Sequence, residues 1–83
     1  MAFQFTFSEE ALVYLRKLDD KTSKRILDKL ETTSENPIRF FERLAGREEH
    51  KLRVGDYRLI AKILIKENTV FILSIGHRKN IYK

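Results

Sequence analysis

The residues best equipped for chemistry fall in two short stretches. One is Lys51-Leu52-Arg53-Val54-Gly55-Asp56-Tyr57-Arg58; the other is Gly76-His77-Arg78-Lys79-Asn80-Ile81-Tyr82. Arginine presents a planar fork of N–H donors that matches phosphate oxygens two at a time, and lysine adds a compact positive charge. Histidine titrates nearest neutrality, which makes His77 the natural proton donor. Tyr57 and Tyr82 can stack on a nucleobase. The set suits gripping a phosphodiester backbone and, with a proton-transfer partner, cutting it.

These stretches are useful only if the fold brings them together. Between them runs Leu59 to Ile75, apolar and rich in β-branched residues, broken only at Lys66-Glu67-Asn68-Thr69. Such a run predicts two long strands joined by a tight turn, returning His77 and Arg78 beside Arg58. A two-residue loop, Glu67-Asn68, would set Arg58 opposite His77. A three-residue loop, Glu67 to Thr69, would set it opposite Arg78. One residue of slip moves a side chain to the other face. Both strands are apolar on both faces and so read as covered central strands. Helices would cover one face, and the Phe40/Phe41 segment or a partner protein the other.

The upstream chain supplies the helices. Phe3, Phe5 and Phe7 alternate with Gln4 and Thr6, a strand with one aromatic face. Ser8 is a plausible N-cap, with Glu9 and Glu10 in the first turn, where the helix dipole favours negative charge. Ala11, Leu12, Leu15 and Leu18 continue at helical spacing to a break at Asp19-Asp20. Asp20 or Thr22 would cap a second helix bearing Ile26, Leu27 and Leu30 on one face and Lys21, Lys24, Arg25 and Lys29 on the other. Asn36-Pro37 ends it. Ile38, Phe40, Phe41 and Leu44 read as a short helix or turn on the core, stopped by Gly46. Lys51 to Val54 alternates again, with Leu52 and Val54 inward, and Gly55-Asp56 reads as a hairpin turn or a short bulged loop. The expected architecture is α+β: a single small domain over residues 1–83, in the order β-α-α-β-β-β, with an antiparallel sheet packed against a helical hairpin.

Composition narrows the partners. At 83 residues the chain makes one domain, and 42% apolar content is ordinary for a globular protein. A domain of this size buries only about 60% of its unfolded surface, so its core is modest. Seventeen Lys and Arg against 12 Asp and Glu give a net charge of +5, which favours an anionic partner. The absence of cysteine excludes disulfides, thiolate nucleophiles and zinc–thiolate sites. It also fits a reducing, cytoplasmic setting. No signal peptide or membrane-length apolar run is visible. Two histidines and scattered carboxylates show no ligand spacing, so neither a metal nor a cofactor is expected.

The two stretches quoted above, with Leu59 completing the first and Ile72-Leu73-Ser74-Ile75 leading into the second, resemble the RelE/ParE toxin superfamily. The element order extends the resemblance over nearly the whole chain. It implies a toxin of a type II toxin–antitoxin system, neutralised by a RelB-like antitoxin that joins it in repressing operator DNA. RelE-like members cleave mRNA in the ribosomal decoding site without a metal, and ParE-like members act on DNA gyrase instead. The family's Lys before the hairpin, Arg after the Tyr, Arg after the Gly and C-terminal Tyr match Lys51, Arg58, Arg78 and Tyr82. Where the best-known pattern has a second Lys, this chain has Glu49, and Tyr82 lies closer to its Arg than the pattern's Tyr does. His77-Arg78 is similar to a subset of the superfamily with a histidine before that arginine.

Metal-free RNA cleavage uses the substrate's own 2′-hydroxyl. A base removes its proton, the oxygen attacks phosphorus, and an acid protonates the departing 5′-oxygen. Arg58 and Arg78 would stabilise the charge that builds on the phosphorus oxygens. Lys51 is a candidate base, with Glu49 and His50 as alternatives, and His77 is the candidate acid. Arg53, Lys79 and the helical Lys21, Lys24, Arg25 and Lys29 would bind RNA phosphates. Two competing readings carry no catalysis: a gyrase-binding toxin, and a nucleic-acid-binding regulator acting with its antitoxin.

Overall fold

A computed structural model describes residues 2–77. The elements are β1 (Gln4–Phe7), α1 (Glu9–Lys17), α2 (Asp20–Thr33), α3 (Pro37–Phe40), β2 (Glu42–Arg43), β3 (His50–Val54), β4 (Tyr57–Leu64) and β5 (Thr69–His77). The five strands form one sheet in the order β1-β5-β4-β3-β2. The expected α+β class holds, and β3 to β5 pair antiparallel as expected; the one-turn α3 and the two-residue β2, which pairs antiparallel with β3, are additions to the expected β-α-α-β-β-β order. β1 differs: it lies parallel to β5, Phe5 beside Val70 and Phe7 beside Ile72, so the sheet is mixed. The chain between these parallel neighbours is long, running through all three helices and strands β2 to β4.

The helices start where their caps dictate. Ser8 accepts from the Ala11 amide at 3.1 Å and begins α1. Asp19, one residue before the expected cap positions, accepts from the amide and hydroxyl of Thr22 and begins α2. Pro37 opens the one-turn α3, where its missing N–H costs nothing. α1 packs on β5 and β1, while α2 reaches β3 and α3. The core between helices and sheet holds Ala11, Ile26, Leu30 and Phe41 against Leu52, Leu59, Ala61, Val70, Ile72 and Ile75. Phe41 enters this helix-side core, so the Phe40/Phe41 segment does not cover the opposite sheet face as expected.

The β4–β5 hairpin takes neither expected register. Its strands end at the pair Leu64↔Thr69, leaving a four-residue loop in which Asn68 adopts φ +53. Asparagine tolerates that left-handed conformation. Asn68 also ties the loop to β1, its side-chain amide donating to the Ala2 carbonyl and its own carbonyl accepting from Gln4. The register then shifts between Ile60↔Ser74 and Ala61↔Ile72, with Leu73 as the extra residue of a β-bulge. Ser8 holds the bulge: its hydroxyl donates to the Leu73 carbonyl at 2.6 Å and its amide to the Ile72 carbonyl at 2.9 Å. Without the extra residue Ile75 would stand across from Arg58. With it, Ile75 turns into the core and Gly76 takes that place. Among the described residues no helix is long and apolar enough to cross a membrane.

Candidate functional site

Alternation along the strands sorts the candidate residues by face. Leu52, Val54, Leu59 and Ala61 point to the helices, which leaves Lys51, Arg53, Arg58, Ile60 and Lys62 on the open face. β3 and β4 are joined by a two-residue turn with Gly55 at φ +60, the positive φ that a type II′ hairpin turn requires at its first position. This turn pairs Arg53 directly with Arg58 and Lys51 with Ile60. Lys62 stands diagonal to Lys51 on the same face. Four cations therefore share one sheet surface. Arg58 is 8% exposed, with Gly76 across from it on β5 leaving room for its long side chain. A charge placed in the middle of a central strand is costly to bury, which points to a role for the guanidinium beyond solubility.

Charge around the face is unevenly neutralised. Lys51 is half-buried, with its ammonium 3.9 Å from the exposed Glu42 carboxylate. Glu49, at the entrance to β3, receives a 3.1 Å hydrogen bond from Arg47. Its own backbone N–H, that bond and the nearby charges of Arg47 and Lys62 hold its carboxyl below the usual glutamate range. A carboxylate so stabilised is a weak base. His50 points to the helix side, opposite Ala61, and lines an apolar groove with Ile38, Phe41 and Ile63. Of the three candidate bases only Lys51 and Glu49 share the face that holds Arg58.

His77 is not beside Arg58. It pairs with Tyr57 on the helix side, ring centroids 5.6 Å apart and edge-to-face, and Tyr57 in turn meets Tyr14 at 6.4 Å. The expected juxtaposition of Arg58 and His77 is thus corrected by the bulge at Leu73, which puts the two side chains on opposite faces. Tyr57 is a packing residue of this aromatic row. Arg78, Lys79 and Tyr82 lie outside the described residues.

The basic helix extends the cationic surface round the β3 edge. The Arg25 guanidinium stands at the hairpin turn, where a Cβ on Gly55 would come within 3.2 Å of it. One turn further on, Lys29 lines a groove with Lys51 and Arg53. Lys21 is exposed on the same row, one turn before Arg25. Lys24 is engaged with Asp28 at 3.0 Å and does not join the groove. The sequence reading missed Lys62 and Phe40. Lys62 stands four residues after Arg58 in a strand, a spacing that places both on one face. Phe40 belongs to a segment whose sequence reads as core, yet it is 43% exposed. Among the described residues no cluster of three His, Asp or Glu could hold a metal ion.

Helices back one side of this small sheet, and four cations stand on the other. The sequence profile of the ParE toxin of type II toxin–antitoxin systems matches residues 5–82, and the chain belongs to that family, within the RelE/ParE toxin superfamily. Its fold is that of solved RelE toxins. A chain of the RelBE2 toxin–antitoxin complex of Mycobacterium tuberculosis superposes with a TM-score of 0.82 at 26% identity, covering 94% of this chain and 100% of that one. A chain of the intact E. coli RelBE complex gives 0.76 at 30% identity, over 92% and 96%. A free E. coli RelE carrying a double arginine mutation gives 0.80 at 30% identity, over 98% and 88%. No curated protein sequence gives a significant match.

Proposed function

We propose that this toxin is a ribosome-dependent, metal-independent mRNA endoribonuclease that arrests translation in the cytoplasm. The observation that carries the reading is the open sheet face, where Lys51, Arg53, Arg58 and Lys62 converge and Arg58 is set deep in a central strand. The 30% identity to E. coli RelE supports it. In the cleavage step the 2′-oxygen forms a bond to phosphorus as the 5′-oxygen leaves, giving a cyclic phosphate and a 5′-hydroxyl. Lys51 takes the 2′-proton, and Arg58 with Arg78 neutralises the charge that grows on the phosphorus oxygens. Tyr82 supplies the proton that the departing 5′-oxygen takes up to become the 5′-hydroxyl. His77, packed on Tyr57, positions the strand end that leads to Arg78 rather than touching phosphate. A RelB-like antitoxin is the proposed partner, as in the RelBE complexes, with operator DNA reached through it.

A second reading has a specific observation behind it: the matching profile is that of ParE. In that case the same cations would dock on gyrase and no RNA would be cut. Sequencing of RNA 3′ ends after brief expression separates the two. Endonuclease is expected to produce discrete in-frame cuts within translated messages. Growth arrest with intact mRNA and inhibited supercoiling would replace it with gyrase binding.

A further inference from the structure

The groove at the β3 edge contains more than phosphate-binding charge. It is lined by Lys29, Phe40, Glu42, Lys51, Leu52 and Arg53 and encloses about 380 Å³. Three cations and one carboxylate leave it net positive. The aromatic ring at its rim is out of place on packing grounds alone. Phe40 ends α3, adjacent to Phe41, which is 4% exposed in the core, yet Phe40 itself stays 43% exposed. The Lys29 ammonium lies 6.0 Å from the centre of its ring. That cation–π contact orients the ring without burying it.

We infer that Phe40 is a base-stacking platform for a nucleotide flanking the cleaved bond, with Lys29 and Arg53 holding that nucleotide's phosphates. The inference rests on the RNA-cleaving reading and adds a subsite to it. Sequence-tolerant single-strand sites combine a positively charged groove with an exposed aromatic face, and this groove has both. Lys51 and Arg53 form one wall of the groove and also stand on the open face, so a strand threaded past Arg58 continues onto Phe40. Glu42 lies beside Lys51, which offsets its charge and leaves Lys29 and Arg53 to the phosphates. A purely apolar partner would gain little from a rim built of three cations. The groove therefore suits RNA better than a hydrophobic peptide.

The test is fluorescence-anisotropy binding of the purified full chain to a short single-stranded oligoribonucleotide, 2′-O-methylated to block cleavage. An abasic oligomer of equal length and charge serves as the comparison. The wild type is expected to prefer the base-bearing probe by roughly tenfold. Phe40→Ala and Phe40→Leu should abolish the preference, and Phe40→Tyr should keep it. Phe40→Leu retains an apolar side chain of similar bulk, so it decides the matter even if the alanine variant folds poorly. An equal affinity of the wild type for both probes overturns the proposal. So does a preference that survives Phe40→Leu, or a Phe40→Ala variant that loses only antitoxin binding. Preference without any mRNA cleavage would leave the subsite standing and remove the nuclease; cleavage without preference would do the reverse.

Discussion

At the scale of single residues Arg58 is the group on which the proposed chemistry depends. Its charge sits at the centre of the sheet, opposite Arg53 on one strand and Gly76 on the other. A lysine there would keep the charge but lose the planar fork that engages two phosphate oxygens at once. Arg58→Lys should therefore fail to arrest growth while still binding antitoxin, read by induced-expression plating and by co-purification. Arrest at the wild-type level would mean that charge alone suffices. The position of Arg58 within an apolar strand is legible in the sequence, because a charge interrupting such a run is conspicuous. Phe40 was not, because an aromatic beside Phe41 in an apolar segment reads as core, and only exposure distinguishes them. The placement of His77 was illegible for another reason: it depends on a bulge.

At the scale of elements that bulge is the deciding feature. Ser8 caps α1 with its oxygen and satisfies the Leu73 carbonyl with its proton, 65 residues away along the chain. Ser8→Ala removes both bonds, and losing an N-cap plus a partly buried hydrogen bond should cost roughly 1–2 kcal/mol. Urea denaturation measures this, and a midpoint equal to wild type would mean that the bulge holds itself. The caps also set the response to acid. Hydrogen bonding from the Thr22 hydroxyl, and then from the Thr22 amide, holds Asp19 below its ordinary 3.8. A depressed folded-state value gives stability that is present above 3.8 and lost as pH falls through the lower folded value. Asp19→Asn, which still caps but does not titrate there, should show a shallower fall in melting temperature below about pH 4. Identical acid limbs would remove Asp19 from the response. The order of elements was readable from caps and periodicity. The parallel pairing of β1 and the four-residue loop were not, since partner choice and loop closure depend on contacts far apart in sequence, such as Asn68 with Ala2.

At the scale of the whole molecule, the excess positive charge lies where two surfaces meet. The open sheet face carries Lys51, Arg53, Arg58 and Lys62, and the α2 row carries Arg25 and Lys29 to its edge. The composition favours an anionic partner, but only the register shows that β3 and β4 present their cations on one side. It also shows that the helices, all on the other side among the described residues, leave that face open. Such an arrangement suits a chain that lays single-stranded RNA across a rigid sheet and stabilises a transition state there. Single-turnover cleavage of mRNA on programmed ribosomes, at saturating toxin, tests this most directly. Arg58→Ala is expected to slow cleavage by about a hundredfold to a thousandfold, with antitoxin binding preserved, because the lost interaction belongs to the transition state. Cleavage by Arg58→Ala at the wild-type rate would contradict it.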